Sequence, residues 1–315
     1  MAGLHIVKGH GTENDFVLVP DVDARLDLTP ALVRALCDRR AGIGGDGVIR
    51  VARTAALVDA GQLPAALGGA GAPEWFMDYR NADGSLAEMC GNGTRVFTAY
   101  LLREGMAGLD DAGGLLIGTR TGPRRMRRDG DLLAVDLGPW HVGDADQDVT
   151  VSLPGEPVPL PGLTVDVGNP HVVVALPGRD DLAAVNLAVA PVLHPTPEAG
   201  ANVEVVVPLP ARGGPAHGSA PSEGHLLMRV HERGVGETRS CGTGAAAAAI
   251  AARAWGGALA PAVWWVDVPG GRLRVTLPSG ADAAGDAVEL AGPAIIVGEA
   301  TLDKDWVAAA TAAGS

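Results

Sequence analysis

Two short segments of the chain combine a nucleophilic side chain with a backbone suited to anions. They are Cys90-Gly91-Asn92-Gly93 and Cys241-Gly242-Thr243-Gly244, about half a chain length apart in 315 residues. Each opens a stretch patterned as a helix, Gly93–Glu104 in the first case and Gly244–Ala254 in the second. A helix start leaves N–H groups without intrahelical partners and carries the positive end of the helix dipole. A thiol held there is expected to ionise below its free value of about 8.5. Glycines let a ligand come close to the main chain, so the N–H groups of Gly91, Asn92, Gly242 and Thr243 can grip a carboxylate.

Facing each other across one carboxylate, two such helix ends would put a thiol on each side of the attached α-carbon. One thiolate could remove the α-proton while the opposite thiol returns a proton to the other face. That is stereoinversion without a cofactor, with the enolate-like charge stabilised by both helix starts. Closure around the substrate would dry the site and strengthen those interactions. The blander reading is that the glycines only shape two turns. The duplicated context favours the chemical one, because a single Cys-Gly-x-Gly is weak and a pair at half-chain spacing is not. Cys37 reads differently: it sits in the apolar stripe of Leu32, Ala35 and Leu36, where a lone cysteine acts as a small core hydrophobe.

The elements that must position these segments are mostly strands. Strand patterns cover Leu4–Val7, Phe16–Val19, Val48–Val51, Leu132–Leu137, Thr164–Val167, His171–Ala175, Val203–Val207, Leu226–Val230, Val263–Val268, Leu273–Leu277 and Ala294–Val297. Besides the two helices after the cysteines, helical patterns cover Thr29–Asp38 and Leu182–Leu193. The pattern is α+β with mostly antiparallel sheet, repeated in two halves. Ala60–Pro73, Pro154–Gly162 and Pro208–Gly224 read as loops, rich in Gly, Pro, Ala or Ser.

Composition narrows the function. At roughly 150 residues per domain the length predicts about two domains. With 47% hydrophobic and 19% charged residues the chain has the makings of a packed core, and its net charge of −13 argues against a nucleic-acid partner. The one basic run, Arg124, Arg125, Arg127 and Arg128, reads as a solvated strand beside a turn. Three cysteines without a Cys-x-x-Cys fit neither a disulfide framework nor a zinc site. No metal is expected. The only lysines are Lys8 and Lys304, neither in a phosphate-binding context, so a pyridoxal-phosphate Schiff base is not expected. The Met1–Lys8 start reads as too short and too polar at its boundaries for a signal peptide, and the alanine run Ala245–Ala252 as too short to span a membrane. A cytoplasmic protein with free thiols and no membrane partner is the expectation.

At Lys8–Phe16, Cys37–Gly47, Asn81–Arg95, Gly168–His171, His231–Gly244 and Val268–Gly271 the sequence resembles the diaminopimelate epimerases, pyridoxal-independent isomerases of bacterial lysine and cell-wall biosynthesis. The resemblance implies two pseudo-symmetric domains, each an antiparallel β-barrel-like sheet wrapped around a central helix, with the active site in the interdomain cleft. The implied division is 1–135 plus 292–315, carrying Cys90, and 136–291, carrying Cys241. It implies Cys90 and Cys241 as the two acid/bases and no cofactor. Asn14, Asn81, Asn169, Asn202, Glu232 and Arg233 match the residues that hold the substrate, a diamino-dicarboxylate. Arg233 can grip the distal carboxylate in a fork and Glu232 can pair with an ammonium. His171, after Gly168-Asn169-Pro170, matches a histidine beside the thiols that tunes their protonation; by itself it would read as a satisfied strand-end histidine. A homodimer is compatible with the sequence, which does not fix the oligomeric state.

Four departures stand out. Residues 52–73 and 208–224 are longer than is usual in the family. His231 stands where many members have tyrosine, and Gly47 where some carry a polar substrate-contacting side chain. The competing readings are a proline racemase-like isomerase, a dithiol redox protein and a non-catalytic amino-acid-binding protein. Proline would leave Glu232 and Arg233 without a second charged group to hold. Redox dithiols are usually close in sequence.

Overall fold

The computed structural model describes residues 3–143, 149–198, 200–210, 223–278 and 287–312. The chain forms two compact units, Met1–Val135 with Pro293–Ser315, and Asp136–Gly292.

The first unit opens with β1 (Leu4–Gly11), β2 (Asn14–Pro20), α1 (Pro30–Cys37), β3 (Gly47–Arg53), α2 (Thr54–Asp59), β4 (Trp75–Asn81), α3 (Gly91–Arg103), β5 (Gly114–Thr119), β6 (Gly122–Asp129) and β7 (Leu132–Asp136). The second contains β8 (His141–Val142), β9 (Val149–Ser152), β10 (Leu160–Asp166), β11 (Pro170–Ala175), α4 (Arg179–Ala184), β12 (Val192–His194), β13 (Asn202–Leu209), β14 (Glu223–Glu232), β15 (Gly236–Thr238), α5 (Gly242–Gly256), β16 (Val263–Val268), β17 (Gly271–Thr276) and β18 (Glu289–Gly292). The chain then returns to the first unit with β19 (Ile295–Leu302), antiparallel to β1, and ends in α6 (Lys304–Ala312).

The two units share one topology. In the first, β1–β2 is antiparallel, β2–β3 parallel, β3–β4 antiparallel, β4–β5 parallel, and β5–β6 and β6–β7 antiparallel. In the second, β10–β11, β11–β13, β13–β14, β14–β16, β16–β17 and β17–β18 repeat that succession. The sheets are therefore mostly antiparallel, with two parallel pairings in each where a helix-bearing segment crosses over. The strands curl round one helix per unit: α3 touches β1, β2, β3, β4, β6 and β19, and α5 touches β10, β11, β13, β14, β16, β17 and β18.

A helix enclosed in this way must be apolar or small on every side. That explains the alanine run: Ala245–Ala252 is buried throughout, and its small side chains let the strands approach α5 closely. Valines of β9, β11 and β13, including Val151, Val172, Val174 and Val205, pack with Leu182 and Leu187 as part of the second unit's core. In the first unit Ile6, Val17, Val19, Leu32, Val33, Leu36 and Cys37 form one cluster, and burial pushes the Cys37 thiol up to about 12. Cys37 is a core residue.

Several sequence expectations need correction. The helix expected over Leu182–Leu193 is only Arg179–Ala184, and Val192–His194 pairs with β9 as a strand. The Asn186 side chain accepts from Ala188 N–H, which competes with helix, and Pro191 cannot continue one. Strand β4 was not foreseen, because Asp78 and Arg80 interrupt its apolar run; both are held inside by ion pairs described below. The stretch Ala60–Pro73 follows the unforeseen α2 and contains a 3-10 turn at Ala65–Gly68. Leu160–Gly162, expected as loop, already belongs to β10. Of Pro208–Gly224, residues 211–222 lie outside the described residues, while Pro208 and Leu209 end β13 and Glu223 and Gly224 begin β14. The basic run lies on β6, with Arg125, Arg127 and Arg128 exposed. No helix among the described residues is long and apolar enough to cross a membrane.

Candidate active site

Each candidate thiol caps its central helix. Cys90 precedes α3 with φ −140° and ψ 119°, and its Sγ accepts from Gly93 N–H at 3.4 Å. Cys241 precedes α5 with φ −121° and ψ 120°, and its Sγ accepts from Gly244 N–H at 3.3 Å. The two caps are near copies. Gly91 and Asn92, and Gly242 and Thr243, occupy the first turns, where no carbonyl of the same helix lies behind the N–H groups.

The shared topology brings the other candidates to corresponding places. Asn14 stands two residues before Phe16, which lies opposite Gly47 on β3. Asn169 stands two residues before His171, which lies opposite Asn202 on β13. Gly47 in turn pairs with Asn81 on β4, while Val203 pairs with His231 and so sets Asn202 opposite Glu232 on β14. Asn14 thus corresponds to Asn169, Gly47 to Asn202, and Asn81 to Glu232. The same number of residues separates Asn81 from Cys90 and Glu232 from Cys241. In each unit the candidates cluster at one end of the parallel strand pair, beside the start of the enclosed helix.

In the first unit, Asn14 is delivered by a tight hairpin whose central residues, Thr12 and Glu13, both have left-handed backbone (φ 51° and 61°). A β-branched threonine there is strained by on the order of 1–3 kcal/mol, the kind of cost that persists where the surroundings over-determine the conformation. The Cys90 thiol donates to Asn14 Oδ1 at 3.6 Å, and Asn92 Nδ2 donates to the same oxygen at 3.1 Å. Asn14 Nδ2 donates to Asp46 Oδ2 at 2.6 Å, and Arg39 Nη2 donates to Asp46 Oδ1 at 2.7 Å. At the other end, buried Arg95 donates to Asn92 Oδ1 at 2.8 Å. Arginine can only donate and a carboxylate only accept, so both amides of this relay are fixed in direction. Burial raises the Asp46 carboxyl above its ordinary range, whereas Asp15 is held well below it by Arg39 and Lys8 in spite of burial. Asn81 is engaged elsewhere, with its amide on Ser85 Oγ at 3.0 Å.

Asp46 is a residue that the sequence reading missed. It carries no role by type alone, and its position beside Asn14 arises from the parallel pairing of β2 and β3. Asp46→Ala is expected to lower kcat/KM by about 10–100-fold, the scale of one hydrogen bond to a charged group. Kinetics together with a melting curve would check this; an unchanged kcat/KM in a folded protein would remove Asp46 from the support of the site.

In the second unit, Thr243 Oγ1 lies 3.5 Å from Cys241 Sγ. Asn202 Oδ1 accepts from Arg233 N–H at 2.9 Å, fixing the backbone where the exposed Arg233 side chain departs. Glu232 Oε1 accepts a short hydrogen bond from Thr238, and His231 lies against Leu187 O at 2.9 Å. His171 is buried, with Nδ1 2.7 Å from Glu204 Oε1 and Nε2 3.0 Å from Asn169 Oδ1. Glu204 is the second residue missed, although one carboxylate in the apolar run Val203–Val207 is a visible signal.

The expectation that both helix starts draw their thiols down fails at Cys241. Burial, then the carboxylates of Glu232 and Glu204, push that thiol well above its ordinary value and outweigh the hydrogen bonds from Thr243 and Gly244. Desolvation and like charge exceed the helix dipole here.

A Bacillus anthracis phenazine biosynthesis protein of the PhzF family has a similar fold at TM-score 0.63 and 14% identity, over 96% of this chain and 100% of that one. A probable proline racemase from Agrobacterium radiobacter is similar at TM-score 0.59 and 17% identity, over 96% and 93%. These likenesses establish the fold class, a two-unit α+β architecture found among racemase-like and PhzF proteins. The sequence goes further. The diaminopimelate epimerase family model matches residues 6–142 and 163–296, and the chain belongs to that family. Diaminopimelate epimerases of Rhodococcus erythropolis and Thermobifida fusca are 43% and 46% identical to it, over 97% and 94% of this chain and 98% and 97% of theirs.

Proposed function

We propose that the protein interconverts LL- and meso-diaminopimelate with two cysteines and no cofactor, in the formation of lysine and peptidoglycan precursors. The observation that carries the reading is the duplicated helix start: in a chain of this family, each unit ends its matching set of polar residues in a cysteine that caps an enclosed helix.

The steps follow from the residues. The reacting carboxylate is held by first-turn N–H groups of Gly91, Asn92, Gly242 and Thr243, whose positive ends favour the charge that builds during reaction. One cysteine, as thiolate, takes the α-hydrogen as a proton. The C–H electron pair moves into the carboxylate-stabilised carbanion. The other cysteine, as thiol, gives its proton to the opposite face. The thiol and thiolate have then exchanged roles. Asn14, Asn81, Asn169, Asn202, Glu232 and Arg233 hold the rest of the substrate. Arg233 suits the distal carboxylate and Glu232 the distal ammonium. The same reading places the protein in the cytoplasm and is compatible with a homodimer.

Purified protein incubated with LL-diaminopimelate, without added cofactor, is expected to form the meso isomer, as followed by chiral chromatography. Racemisation of proline in place of this conversion would keep the fold and two-thiol chemistry but overturn the substrate.

A further inference from the structure

The internal repeat gives each thiol a counterpart, and the surroundings of the two differ. A Cβ placed at Gly93 would lie 3.3 Å from Ile49 Cδ1, 3.4 Å from Cys90 Cβ and 3.6 Å from Phe16 Cζ. A Cβ placed at Gly244 would lie 2.5 Å from Glu204 Oε1 and 3.2 Å from Cys241 Cβ. Phe16 and His171 occupy matching positions on the first strands of their parallel pairs, as do Ile49 and Glu204 on the second. The floor beneath the Cys90 turn is therefore a phenylalanine and an isoleucine. Beneath the Cys241 turn it is a histidine and a glutamate.

We propose that Glu204, held by His171, is a positioning pair dedicated to Cys241, which makes the two halves of the catalytic apparatus unequal by setting a buried carboxyl group against the start of α5 where the start of α3 has only apolar side chains. The proposal rests on the reading of both cysteines as the acid/bases.

Burying this pair is unfavourable compared with the apolar alternative that the other unit shows to be compatible with the same fold. Glu204 has no exposed surface, and its Oε2 has no hydrogen-bond partner among the described residues. Its Oε1 is held by His171 Nδ1, and His171 Nε2 is held in turn by Asn169. A carboxylate fixed against the first turn of α5 occupies the place where the helix would otherwise favour a thiolate. The charged and polar groups that bear on Cys241 come from three directions: Glu204 on β13 with His171 on β11 behind it, Glu232 at the end of β14, and Thr243 on its own helix. Beneath Cys90, the positions that match His171 and Glu204 are Phe16 and Ile49, neither of them ionisable, and the charge that bears on this thiol is the buried Arg95 guanidinium on α3. An epimerase of this kind must start with one thiolate and one thiol, and a difference built into the two floors sets which is which before substrate arrives.

The test uses the intact protein labelled with 13C at cysteine Cβ, titrated by NMR without substrate, so that it does not depend on which amino acid is turned over. Glu204→Gln is expected to raise the acid dissociation constant of Cys241 by about tenfold or more, as removal of a nearby like charge does, and to leave Cys90 in place. His171→Phe combined with Glu204→Ile copies the first unit's floor into the second. It should shift Cys241 in the same direction without lowering the melting temperature, and it covers the case in which Glu204→Gln alone does not fold. A purely structural role would change the melting temperature and leave the Cys241 titration unmoved. That outcome, or an equal movement of Cys90, overturns the proposal. A shifted Cys241 in a protein inactive on diaminopimelate would instead sink the proposed function and leave the pairing intact.

Discussion

Cys90→Ser and Cys241→Ser are each expected to lower kcat by about 10²–10⁴-fold, the usual range for one positioned acid or base. A serine hydroxyl has the shape to keep the helix cap, so the loss should come without unfolding, but it is a far poorer base near neutral pH. The wild-type protein gives the sharper readout. With two acid/bases, the proton that arrives never comes from the group that removed the old one. In heavy water, starting from the LL isomer and stopping early, deuterium should appear at the inverted centre of the product while recovered substrate stays almost unlabelled. Early label in recovered substrate at the rate of product labelling would sink the two-thiol mechanism, even with epimerase activity intact.

The second large effect is on stability. Asp78 on β4 is buried, and three arginines converge on it: Arg50 Nε at 2.8 Å and Nη2 at 2.7 Å, Arg80 Nη2 at 3.4 Å, and a short contact from Arg120. Burial alone would raise its carboxyl, but Arg80, Arg50 and Arg120 hold it below the ordinary range. Asp78→Ala leaves the fully buried Arg50 guanidinium without this carboxylate, and removing one partner of a buried pair costs about 3–5 kcal/mol. Denaturant unfolding should show an unfolding free energy lower by that scale, with an earlier midpoint. Because the folded-state value is depressed, this contribution is present above the unfolded carboxylate range and is lost as pH falls through the folded value. Activity should fall as well. Arg120 also donates to Tyr79 O at 3.0 Å and Ala87 O at 3.2 Å, tying the segment that leads to Cys90 back onto β4. An unfolding free energy within about 0.5 kcal/mol of wild type, the range of ordinary surface substitutions, would show that the cluster contributes little.

These effects divide between what local sequence can express and what it cannot. The two Cys-Gly-x-Gly helix starts are local: the turn, the following helix and the cap depend on a few neighbouring residues, and both caps form with the same backbone. Strands β16 and β17 are legible for the same reason, because alternate residues face the core, and β2 and β13 because each is a short, nearly continuous apolar run buried on both faces. Strand β4 is not, since its apolar run is broken by Asp78 and Arg80, and the burial of Asp78 depends on Arg50 and Arg120, far along the chain, as well as on Arg80 itself. The short α4 was misread because apolar periodicity continues past the point where Asn186 and Pro191 stop the helix.

By itself, then, the sequence determined the repeat, the paired thiols, the α+β class and the family, because motif spacing and hydrophobic period are properties of the chain order. Only the tertiary structure decided the environment of each thiol. Asp46 reaches Asn14 because β2 and β3 lie parallel, and Glu204 reaches the foot of α5 because β11 and β13 do. The helix starts suggest two thiols drawn below their free value; burial beside Glu232 and Glu204 pushes Cys241 the other way. Electrostatic energies depend on separation and solvent exclusion, and both are settled by strands that meet only after folding.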